Sequence, residues 1–545
     1  MIRSGHVDTF ARDNLPPQAQ WPEFKFTLPE LQYPDRLNCV TEYVDKWVAG
    51  GEGDRVAIIS PTETLTYAQL AERINRIANV LARDLGMVPG NRVLMRSPNS
   101  PMGIAVYLAV IKAGGVMVAT MPMLRAKELS YVVTKAKIKL ALCDSLLADE
   151  MEKTRPLARE LERIVYWGNS EFEALMAKPG YESFTACDTA SDDVCLIAFT
   201  SGTTGEPKGT MHFQRDMLAS CDSYSKYVLR PNRDDRFIGS APLAFTFGFG
   251  GHVMFPFRIG AATIQLEAAP PDVLLPAIAK YGATICFTAP TAYRAMTAKL
   301  GEHDISSLRK CVSAGEALPK ATFDAWHQAT GMQILDGIGA TEMMHIFIGS
   351  PESEIRPGAT GRAVPGYEAK VIGDDGRECA PGTVGRLAVR GPTGCRYLGD
   401  ARQTKYVQDG WNVTGDTYRM DADGYFWYQA RSDDMIISAG YNIAGPEVES
   451  ALLLHPAVAE CGVVGVADEE RGQIVKAYVV LRAGHNGDAA MTRTLQDYVK
   501  AAIAPYKYPR AIDYVAELPK TQTGKLQRFE LRKTAAAQAN RKLAS

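Results

Sequence analysis

Residues 200–209 read TSGTTGEPKG, a composition suited to binding phosphate. Glycines let backbone amides approach an anion closely, hydroxyls and amides donate hydrogen bonds to its oxygens, and Lys208 adds a compact positive charge. The preceding apolar run, Val194–Phe199, favours a buried strand. The glycine spacing differs from that of a Walker A loop, which needs G-x-x-x-x-G-K-[ST]. The stretch therefore predicts a polyphosphate-binding loop, with a solvated surface loop as the alternative.

Two further glycine-containing stretches each follow a predicted strand. Residues 336–342 read DGIGATE, in which Thr341 can donate to a phosphate and Glu342 can hold Mg²⁺, a cation that prefers carboxylate oxygen. Residues 314–318 read AGEAL, and Gly315 would let a flat ring lie against the backbone. Glycines in both stretches let a ligand approach the backbone closely, so each is a candidate binding segment.

Three more segments carry candidate binding residues. Residues 241–251 place three phenylalanines among small residues, which is equally typical of a flat apolar pocket and of ordinary core. Ala289 follows a predicted strand, 283–287, at the end where ligands bind. Asp416 is a candidate to accept two ribose hydroxyl hydrogen bonds, because an ionised carboxylate has that capacity.

Composition narrows the class of protein. A chain of 545 residues is long enough for about two to four domains. A net charge of −2 argues against a nucleic-acid or anionic-membrane partner held by bulk charge. Ten cysteines without a C-x-x-C pair indicate reduced thiols in a cytoplasmic protein. The most apolar long run, 104–123, is interrupted by Lys112 and two glycines, which predicts a buried helix and strand rather than a membrane span.

Hydrophobic periodicity predicts alternating strands and helices, and therefore parallel sheets covered by helices. Helix 66–85 begins with a capping box formed by Thr66 and Gln69, and another helix is expected over 153–162. From about residue 369 the pattern changes to hairpins, 368–390 and 417–428, which predicts a small β-barrel-like subdomain. The last part predicts a smaller α+β unit, with strands 459–466 and 476–481. The fold class expected is α/β, with a large N-terminal domain and a smaller C-terminal one.

Taken together, these motifs resemble those of the adenylate-forming superfamily, which comprises acyl- and aryl-CoA synthetases, luciferases and the adenylation domains of peptide synthetases. The match adds residues 430–443, reading ARSDDMIISAGYNI, and 518–526, reading LPKTQTGKL. It covers most of residues 60–530. The resemblance implies an AMP-forming acid–CoA ligase that uses ATP, Mg²⁺ and coenzyme A. It also implies an adenylation domain over 1–432 and a mobile C-terminal domain over 433–545.

The resemblance also implies roles for individual residues. Lys525, Thr341 and Glu342 would be catalytic, with Glu342 holding the metal, and Asp433 would be the hinge between the domains. Gly440 would line the thiol tunnel, and Arg431 would bind ribose or phosphate. The residues implied to bind the cofactors are Thr200, Ser201, Gly202, Thr203, Thr204, Gly205, Lys208, Gly315, Glu316, Ala317, Asp336, Gly337, Asp416, Arg431 and Gly440. Those implied to bind the acid are Phe245, Phe247, Gly248, Ala289, Gly339 and His345.

Two stretches point to an aromatic acid. Residues 336–347 look like the same stretch of benzoate-type CoA ligases, including Ile338 where the wider superfamily has tyrosine. The N-terminal segments 13–17 and 21–22 look like those of 2-aminobenzoate-CoA ligases. The acid expected is 2-aminobenzoate, with benzoate, a hydroxybenzoate, indoleacetate or a medium-chain acid as alternatives. His345 would either polarise the substrate or be an ordinary buried histidine.

The expected partners are the aromatic acid, ATP and CoA, with neither nucleic acid nor membrane, in a monomer or homodimer. Three other classes compete with a CoA ligase. A stand-alone adenylation enzyme would load a carrier protein in trans. A luciferase-like oxygenase would need the adenylate to react with oxygen, which nothing in the sequence indicates. An inactive binding homologue would be expected to lose Lys525, Glu342 or Asp416, and the chain retains all three.

Overall fold

A computed structural model describes residues 2–200, 207–431, 434–438, 441–468, 471–503, 505–520 and 526–543. The first strands are β1 Val56–Ile59, β2 Thr64–Thr66, β3 Arg92–Arg96, β4 Val116–Thr120, β5 Leu140–Asp144, β6 Arg163–Trp167, β7 Val194–Phe199 and β8 Gly209–Phe213. They are followed by β9 Arg236–Gly239, β10 Ala262–Ile264, β11 Ile285–Thr288, β12 Lys310–Ser313, β13 Ile334–Gly339, β14 Ile346–Gly349 and β15 Arg362–Ala363. The later strands are β16 Glu368–Ile372, β17 Val384–Arg390, β18 Val407–Gln408, β19 Trp411–Met420, β20 Phe426–Arg431, β21 Ile436–Ser438, β22 Tyr441–Ile443, β23 Val458–Asp468, β24 Gly472–Leu481 and β25 Ala511–Tyr514.

The helices are interleaved with these strands. The first are α1 Phe10–Asp13, α2 Lys46–Ala49, α3 Tyr67–Asn79, α4 Pro101–Lys112, α5 Ala126–Ala136, α6 Ala148–Thr154, α7 Glu171–Met176 and α8 Gln214–Ser220. The later ones are α9 Thr246–Phe249, α10 Phe255–Ile259, α11 Pro271–Tyr281, α12 Pro290–Thr297, α13 Lys320–Thr330, α14 Gln403–Tyr406, α15 Gly445–Leu453, α16 Ala489–Ala502 and α17 Arg528–Leu543. π-Helical segments occupy Thr41–Asp45, Val80–Asp84, Cys221–Leu229 and Gly250–Met254.

Two mainly parallel sheets form the large N-terminal region. The first has the order β6-β5-β3-β4-β7-β8 and is parallel except for the antiparallel β7–β8 pair. The second has the order β15-β14-β13-β12-β11-β9-β10-β1-β2 and is parallel from β13 to β1. Helix α4 is buried almost throughout, which explains why the apolar run 104–123 has no polar face. That run is a buried helix followed by the buried strand β4, as predicted.

The predicted change to hairpins near residue 369 is also confirmed. Strands β16, β17, β19 and β18 form an antiparallel sheet, with β20 paired to β19, and this sheet curls into a half-barrel. The C-terminal region has its own sheet, ordered β22-β21-β24-β23, with β25 parallel to β24. The expected α/β fold with a smaller C-terminal α+β unit is therefore correct.

Local sequence signals predicted some boundaries of helices and strands correctly and others wrongly. The capping box of Thr66 and Gln69 is present at the start of α3, since each side chain bonds to the other residue's backbone. The helix predicted over 153–162 was wrong, because α6 ends at Thr154 and a short 3₁₀ turn, Arg155–Leu157, follows. Pro156 lies in that turn and lacks the N–H that a continuing helix needs.

The C-terminal unit packs against the half-barrel and against α12 and α13. Helix α15 contacts β20 and α13, and Arg294 of α12 lies 3.2 Å from Glu460 of β23. In the described part of the chain, no helix combines the length and the apolar character needed to cross a bilayer.

Candidate active site

Neighbouring parallel strands bring predicted cofactor-binding and acid-binding residues to the same end of the sheet. Thr288 of β11 is in register with Ser313 of β12, which is in register with Asp336 of β13. The residues that follow, including Ala289 and Gly315, therefore emerge side by side. The carboxyl ends of the strands are where ligands of parallel sheets bind.

Gly315 offers an open backbone surface at this edge. Its φ is +90°, a backbone conformation that residues other than glycine rarely adopt. A β-carbon built on Gly315 would have no atom within 4 Å. Ala317 is likewise exposed, and Glu316 is half-buried between them. The stretch therefore has room for a flat ring against its backbone, and binding of a ring there stays a prediction.

Asp336 faces inward beside this surface and keeps its proton. Burial raises the pKa of Asp336 to about 8, against a smaller lowering by the backbone of Gly337. Its Oδ1 is buried and has no hydrogen-bond partner among the described residues. A buried carboxyl oxygen without a partner, where the parallel pairing of β12 and β13 ends, can accept a hydrogen bond from a ligand group.

The predicted phosphate loop connects two antiparallel strands, β7 and β8. The N–H of Thr200 donates to the carbonyl of Lys208 at 2.9 Å, which closes the base of the hairpin. Residues 396–398 run along the other edge of β8, where the N–H of Leu398 donates to the carbonyl of Gly209 at 2.8 Å. This pairing brings Tyr397, which the sequence analysis did not single out, next to Lys208.

Lys208, Tyr397 and Glu342 form a chain of polar contacts. The ammonium of Lys208 donates to Oη of Tyr397 at 2.8 Å, and Tyr397 donates to Oε1 of Glu342 at 2.5 Å. The ammonium also lies 3.6 Å from the same Oε1. The structure thus joins the predicted phosphate-binding cation to the predicted metal-binding carboxylate.

The turn that carries Thr341 and Glu342 is tightly constrained. The ring of His212, on β8, is hydrogen-bonded through Nε2 to the carbonyl of Thr341 at 2.8 Å. Met344 has φ +70° and ψ −47°, and the N–H of His345 donates across it to the carbonyl of Met343. This is a γ-turn with positive φ, a strained conformation for methionine. It turns the chain sharply between Glu342 and His345.

His345 lies in an aromatic cluster on the far side of that turn. Its ring centroid is 4.5 Å from that of Phe255, 5.6 Å from those of Phe247 and Tyr224, and 6.4 Å from that of Phe287. Burial lowers the pKa of His345 to about 3, with a smaller opposing effect from the backbone of Phe247. Neither ring nitrogen makes a hydrogen bond of good geometry with a described residue, although the backbone carbonyl of Phe247 lies near enough to the ring to oppose the lowering of its pKa. His345 is therefore a neutral, polar position in an apolar wall.

Glycines make room for this wall. A β-carbon added to Gly250 would lie 2.4 Å from Nε2 of His345, and one added to Gly339 would lie 2.9 Å from the His345 backbone. Gly248 has a packing reason of its own, since its β-carbon would lie 2.1 Å from the carbonyl oxygen of Pro242. Phe247 is half-buried, and Phe245 precedes it at the start of α9. The wall therefore runs from Phe247 through His345 to the exposed Gly339.

The half-barrel supplies the predicted ribose-binding end. Asp416 of β19 is in register with Arg431 of β20, and their side chains lie 3.3 Å apart. Burial, and next the negative charge of Glu342, raise the pKa of Tyr406 well above its ordinary value, with Asp416 acting in the same direction and Arg431 against it. Tyr406 therefore stands between the half-barrel pair and the Lys208–Glu342 cluster.

Several predicted site residues lie outside the described residues. They are Ser201, Gly202, Thr203, Thr204, Gly205, Asp433, Gly440 and Lys525. Within the described residues, no group of three or more His, Cys, Asp or Glu side chains could hold a metal ion. Glu342 alone fits Mg²⁺ that is carried in with phosphates, because Mg²⁺ keeps waters and is bound through one or two carboxylates plus substrate phosphates.

Comparison with known proteins agrees with this geometry. The AMP-binding enzyme family matches residues 45–397, and the AMP-binding enzyme C-terminal domain matches residues 447–525. Benzoate–CoA ligase of Thauera aromatica is 35% identical over 517 residues, covering 93% of this chain and 98% of that protein. An anthranilate CoA ligase, solved in complex with anthranoyl-AMP, superposes with a TM-score of 0.90 at 34% identity, covering 94% of this chain and 100% of that one. A benzoate CoA ligase from Burkholderia xenovorans LB400 gives 0.82 at 30%, over 91% and 100%.

The parallel sheets, the hairpin loop ending at Lys208 and the Thr341–Glu342 turn define the adenylate-forming class of enzymes. The chain belongs to the AMP-binding enzyme family, and its resemblance to that family, predicted from the motifs, is confirmed. It is an AMP-forming acid–CoA ligase, and its similarity to benzoate and anthranilate CoA ligases supports an aromatic acid as substrate.

Proposed function

We propose that the protein converts 2-aminobenzoate, ATP and CoA into 2-aminobenzoyl-CoA, AMP and pyrophosphate. A carboxylate is a poor acylating agent because its leaving group would be oxide. Attack of the carboxylate oxygen on the α-phosphorus of ATP releases pyrophosphate and leaves AMP as a good leaving group. The CoA thiol then attacks the adenylate carbonyl and displaces AMP.

The first step brings several negative charges together, so catalysis rests on positioning and neutralisation. Adenine lies against the backbone at Gly315, with its amino group directed at Asp336. Ribose hydroxyls donate to Asp416, which Arg431 holds at 3.3 Å. Lys208 and, by family resemblance, the residues before it would bind the phosphates, and Glu342 would hold Mg²⁺, which would neutralise phosphate charge. The catalytic Lys525, assigned by resemblance alone, neutralises the α-phosphate and the carboxylate.

The aromatic wall with a neutral histidine carries the choice of acid. The substrate ring packs on half-buried Phe247, with its carboxylate toward Thr341 and Glu342. His345, whose ring contacts that of Phe247 at 5.6 Å, presents nitrogens that make no hydrogen bond of good geometry with a described residue. A neutral imidazole has one accepting nitrogen, which suits an amino group on the substrate ring. The similarity to an anthranilate CoA ligase supports the same choice, since anthranilate is 2-aminobenzoate.

Benzoate, a hydroxybenzoate and indoleacetate are the alternative acids, because they share the flat apolar ring. The further alternatives, a medium-chain acid and loading of a carrier protein in trans, keep the adenylation step and differ in acyl chain or thiol. Free cysteines throughout the described residues support a cytoplasmic location, and a monomer or homodimer completes the proposal.

The test is ATP–pyrophosphate exchange with each candidate acid, followed by thioester formation with CoA. We expect the highest kcat/KM with 2-aminobenzoate. Replacing His345 with phenylalanine keeps an aromatic ring but removes both nitrogens. It should lower the preference for 2-aminobenzoate over benzoate by about tenfold, the value of one hydrogen bond to a buried group. Exchange with benzoate should change little.

Two outcomes would contradict the proposal at different levels. Absence of exchange with every aromatic acid would remove the aromatic assignment altogether. An unchanged preference in His345→Phe would leave the ligase assignment intact but make His345 an ordinary packing residue.

A further inference from the structure

The hydroxyl of Tyr397 stands between two opposite charges. It accepts a hydrogen bond from the ammonium of Lys208 at 2.8 Å and donates one to Oε1 of Glu342 at 2.5 Å. The ammonium and Oε1 are themselves 3.6 Å apart, farther than a direct hydrogen bond allows. The phenol therefore hydrogen-bonds to both charged groups and holds them at ion-pair distance, without a direct hydrogen bond between them.

Tyr397 is held firmly in this position. The residue is 1% exposed, and its ring meets the edge of Tyr406 at 5.8 Å. Its N–H donates to Oε1 of Gln403 at 2.9 Å, and the residues on either side bond to β8. The hydroxyl is thus fixed by backbone contacts that involve neither charge.

Without this spacer, the two charges would pair directly. The side chains of Lys208 and Glu342 are 23% and 8% exposed, so they attract each other more strongly than surface charges do. A paired Lys208 would be less available to phosphate, and a paired Glu342 less available to a metal ion. Both present contacts fall on Oε1, which leaves Oε2 as the oxygen for a cation.

We infer that Tyr397 is a positioning residue that keeps Lys208 available for the polyphosphate of ATP and directs Oε2 of Glu342 toward Mg²⁺. This inference rests on the proposed function, in which Lys208 binds phosphate and Glu342 binds the metal.

The test is a Tyr397→Phe variant, examined by calorimetric titration of ATP without an acid, at low and at saturating Mg²⁺. Loss of a hydrogen bond to a charged group should weaken Mg²⁺-dependent ATP binding by about tenfold. The Mg²⁺ concentration that half-saturates ATP–pyrophosphate exchange should rise by a similar factor. Thioester formation from supplied acyl-adenylate should change less than about twofold, since it needs neither metal nor polyphosphate.

Tyr67→Phe is the matched control. Tyr67 is also fully buried, and its hydroxyl donates a hydrogen bond of 2.7 Å to the carbonyl of Ala261. It lies in α3, away from the candidate site. A general effect of removing a buried hydroxyl would appear in both variants as a lower melting temperature, whereas a higher half-saturating Mg²⁺ concentration should appear in Tyr397→Phe alone.

A double variant tests the spacing itself. If Tyr397 acts by keeping Lys208 from Glu342, its loss should matter little once Lys208 is methionine. At low Mg²⁺, where the contact of Tyr397 with Glu342 contributes little to ATP binding, Lys208→Met/Tyr397→Phe should then bind ATP within about twofold of Lys208→Met. Fully additive losses would overturn the inference.

The remaining outcomes separate the inference from the function. If the wild-type protein exchanges pyrophosphate and Tyr397→Phe keeps the wild-type Mg²⁺ dependence, the inference is overturned and the ligase stands. If the wild-type protein neither binds ATP nor exchanges pyrophosphate, the proposed function is wrong, and the inference that rests on it is overturned as well. Should Tyr397→Phe fail to fold, Gln403→Leu releases the backbone of Tyr397 and should shift the Mg²⁺ dependence in the same direction; no shift would overturn the inference.

Discussion

Asp336 retains its proton at a pH where aspartates are ordinarily ionised. Its pKa of about 8 results from burial, because a carboxylate that leaves water without a compensating partner is destabilised. Its neighbours include the buried side chains of Tyr224 and Tyr418, whose pKa values a charge on Asp336 would raise. Neither tyrosine carries a positive charge that could stabilise the ionised form of Asp336. A neutral carboxyl can both donate and accept a hydrogen bond, which suits recognition of a heterocycle.

The raised pKa makes stability depend on pH. Between about pH 4 and pH 8 the folded chain keeps a proton that the unfolded chain releases, so stability falls as pH rises through this window. The slope is at most about 1.4 kcal/mol per pH unit. Asp336→Asn removes the titrating group. We expect its melting temperature relative to wild type to rise steadily from pH 5 to pH 8.

Differential scanning fluorimetry across this pH range measures the effect. Comparing the variant with wild type at each pH cancels the titration of all other groups. A difference in melting temperature that stays constant with pH would show that Asp336 is ionised in the folded protein.

At the level of elements, β8 and residues 396–398 form one unit that positions the site. Arg396 and Asp216 make a fully buried ion pair beneath this unit, and the guanidinium lies 3.8 Å from the ring centroid of Phe213. Burial alone would raise the pKa of Asp216, but Arg396 and then His212 outweigh it and hold the pKa below its ordinary value. The pair therefore fixes the strand edge that carries both His212 and Tyr397.

Arg396→Met should destabilise the protein by about 3–5 kcal/mol, because it leaves Asp216 charged and buried without its partner. The double variant Asp216→Asn/Arg396→Met removes both charges and should be clearly more stable than Arg396→Met. Urea denaturation followed by tryptophan fluorescence compares the two variants with wild type. Equal destabilisation of the single and double variants would show that packing, rather than the unpaired charge, dominates.

At the level of the whole molecule, Glu460 links the C-terminal unit to the large domain through a partly exposed ion pair. Glu460 lies 3.2 Å from Arg294 of the large domain and 2.6 Å from Lys520 of its own unit. Such partly exposed pairs contribute about 0–1 kcal/mol each. A contact of this strength can hold one arrangement without preventing the rotation between half-reactions that family resemblance implies.

Domain alternation predicts that Lys525 serves one half-reaction. Lys525→Ala should abolish adenylate formation, measured by ATP–pyrophosphate exchange, because the carboxylate and the α-phosphate lose their shared cation. Thioester formation from supplied acyl-adenylate and CoA should be largely retained. Arg294→Ala, which breaks the contact with Glu460 without touching the reactants, is the control. Equal loss of both half-reactions in Lys525→Ala would contradict the alternation.

The sequence by itself was sufficient for the class of enzyme and for the layout of the fold. Glycines and hydroxyls before Lys208, the Thr341–Glu342 pair and Asp416 are local chemistry, and strand-end placement follows from the parallel alternation that periodicity indicates. The capping box of Thr66 and Gln69 could also be predicted from the sequence, because the two residues are only three positions apart.

Only the tertiary structure determined the contacts between distant parts of the chain. Tyr397 reaches Lys208 across 189 positions because residues 396–398 pair with β8, and no local pattern encodes such a pairing. The positive φ of Met344 could not be predicted from the sequence either, because methionine does not favour this conformation and the packing on both sides of the turn imposes it. Local propensity determines which residues can do chemistry, whereas the long-range pairing of strands determines which of them meet.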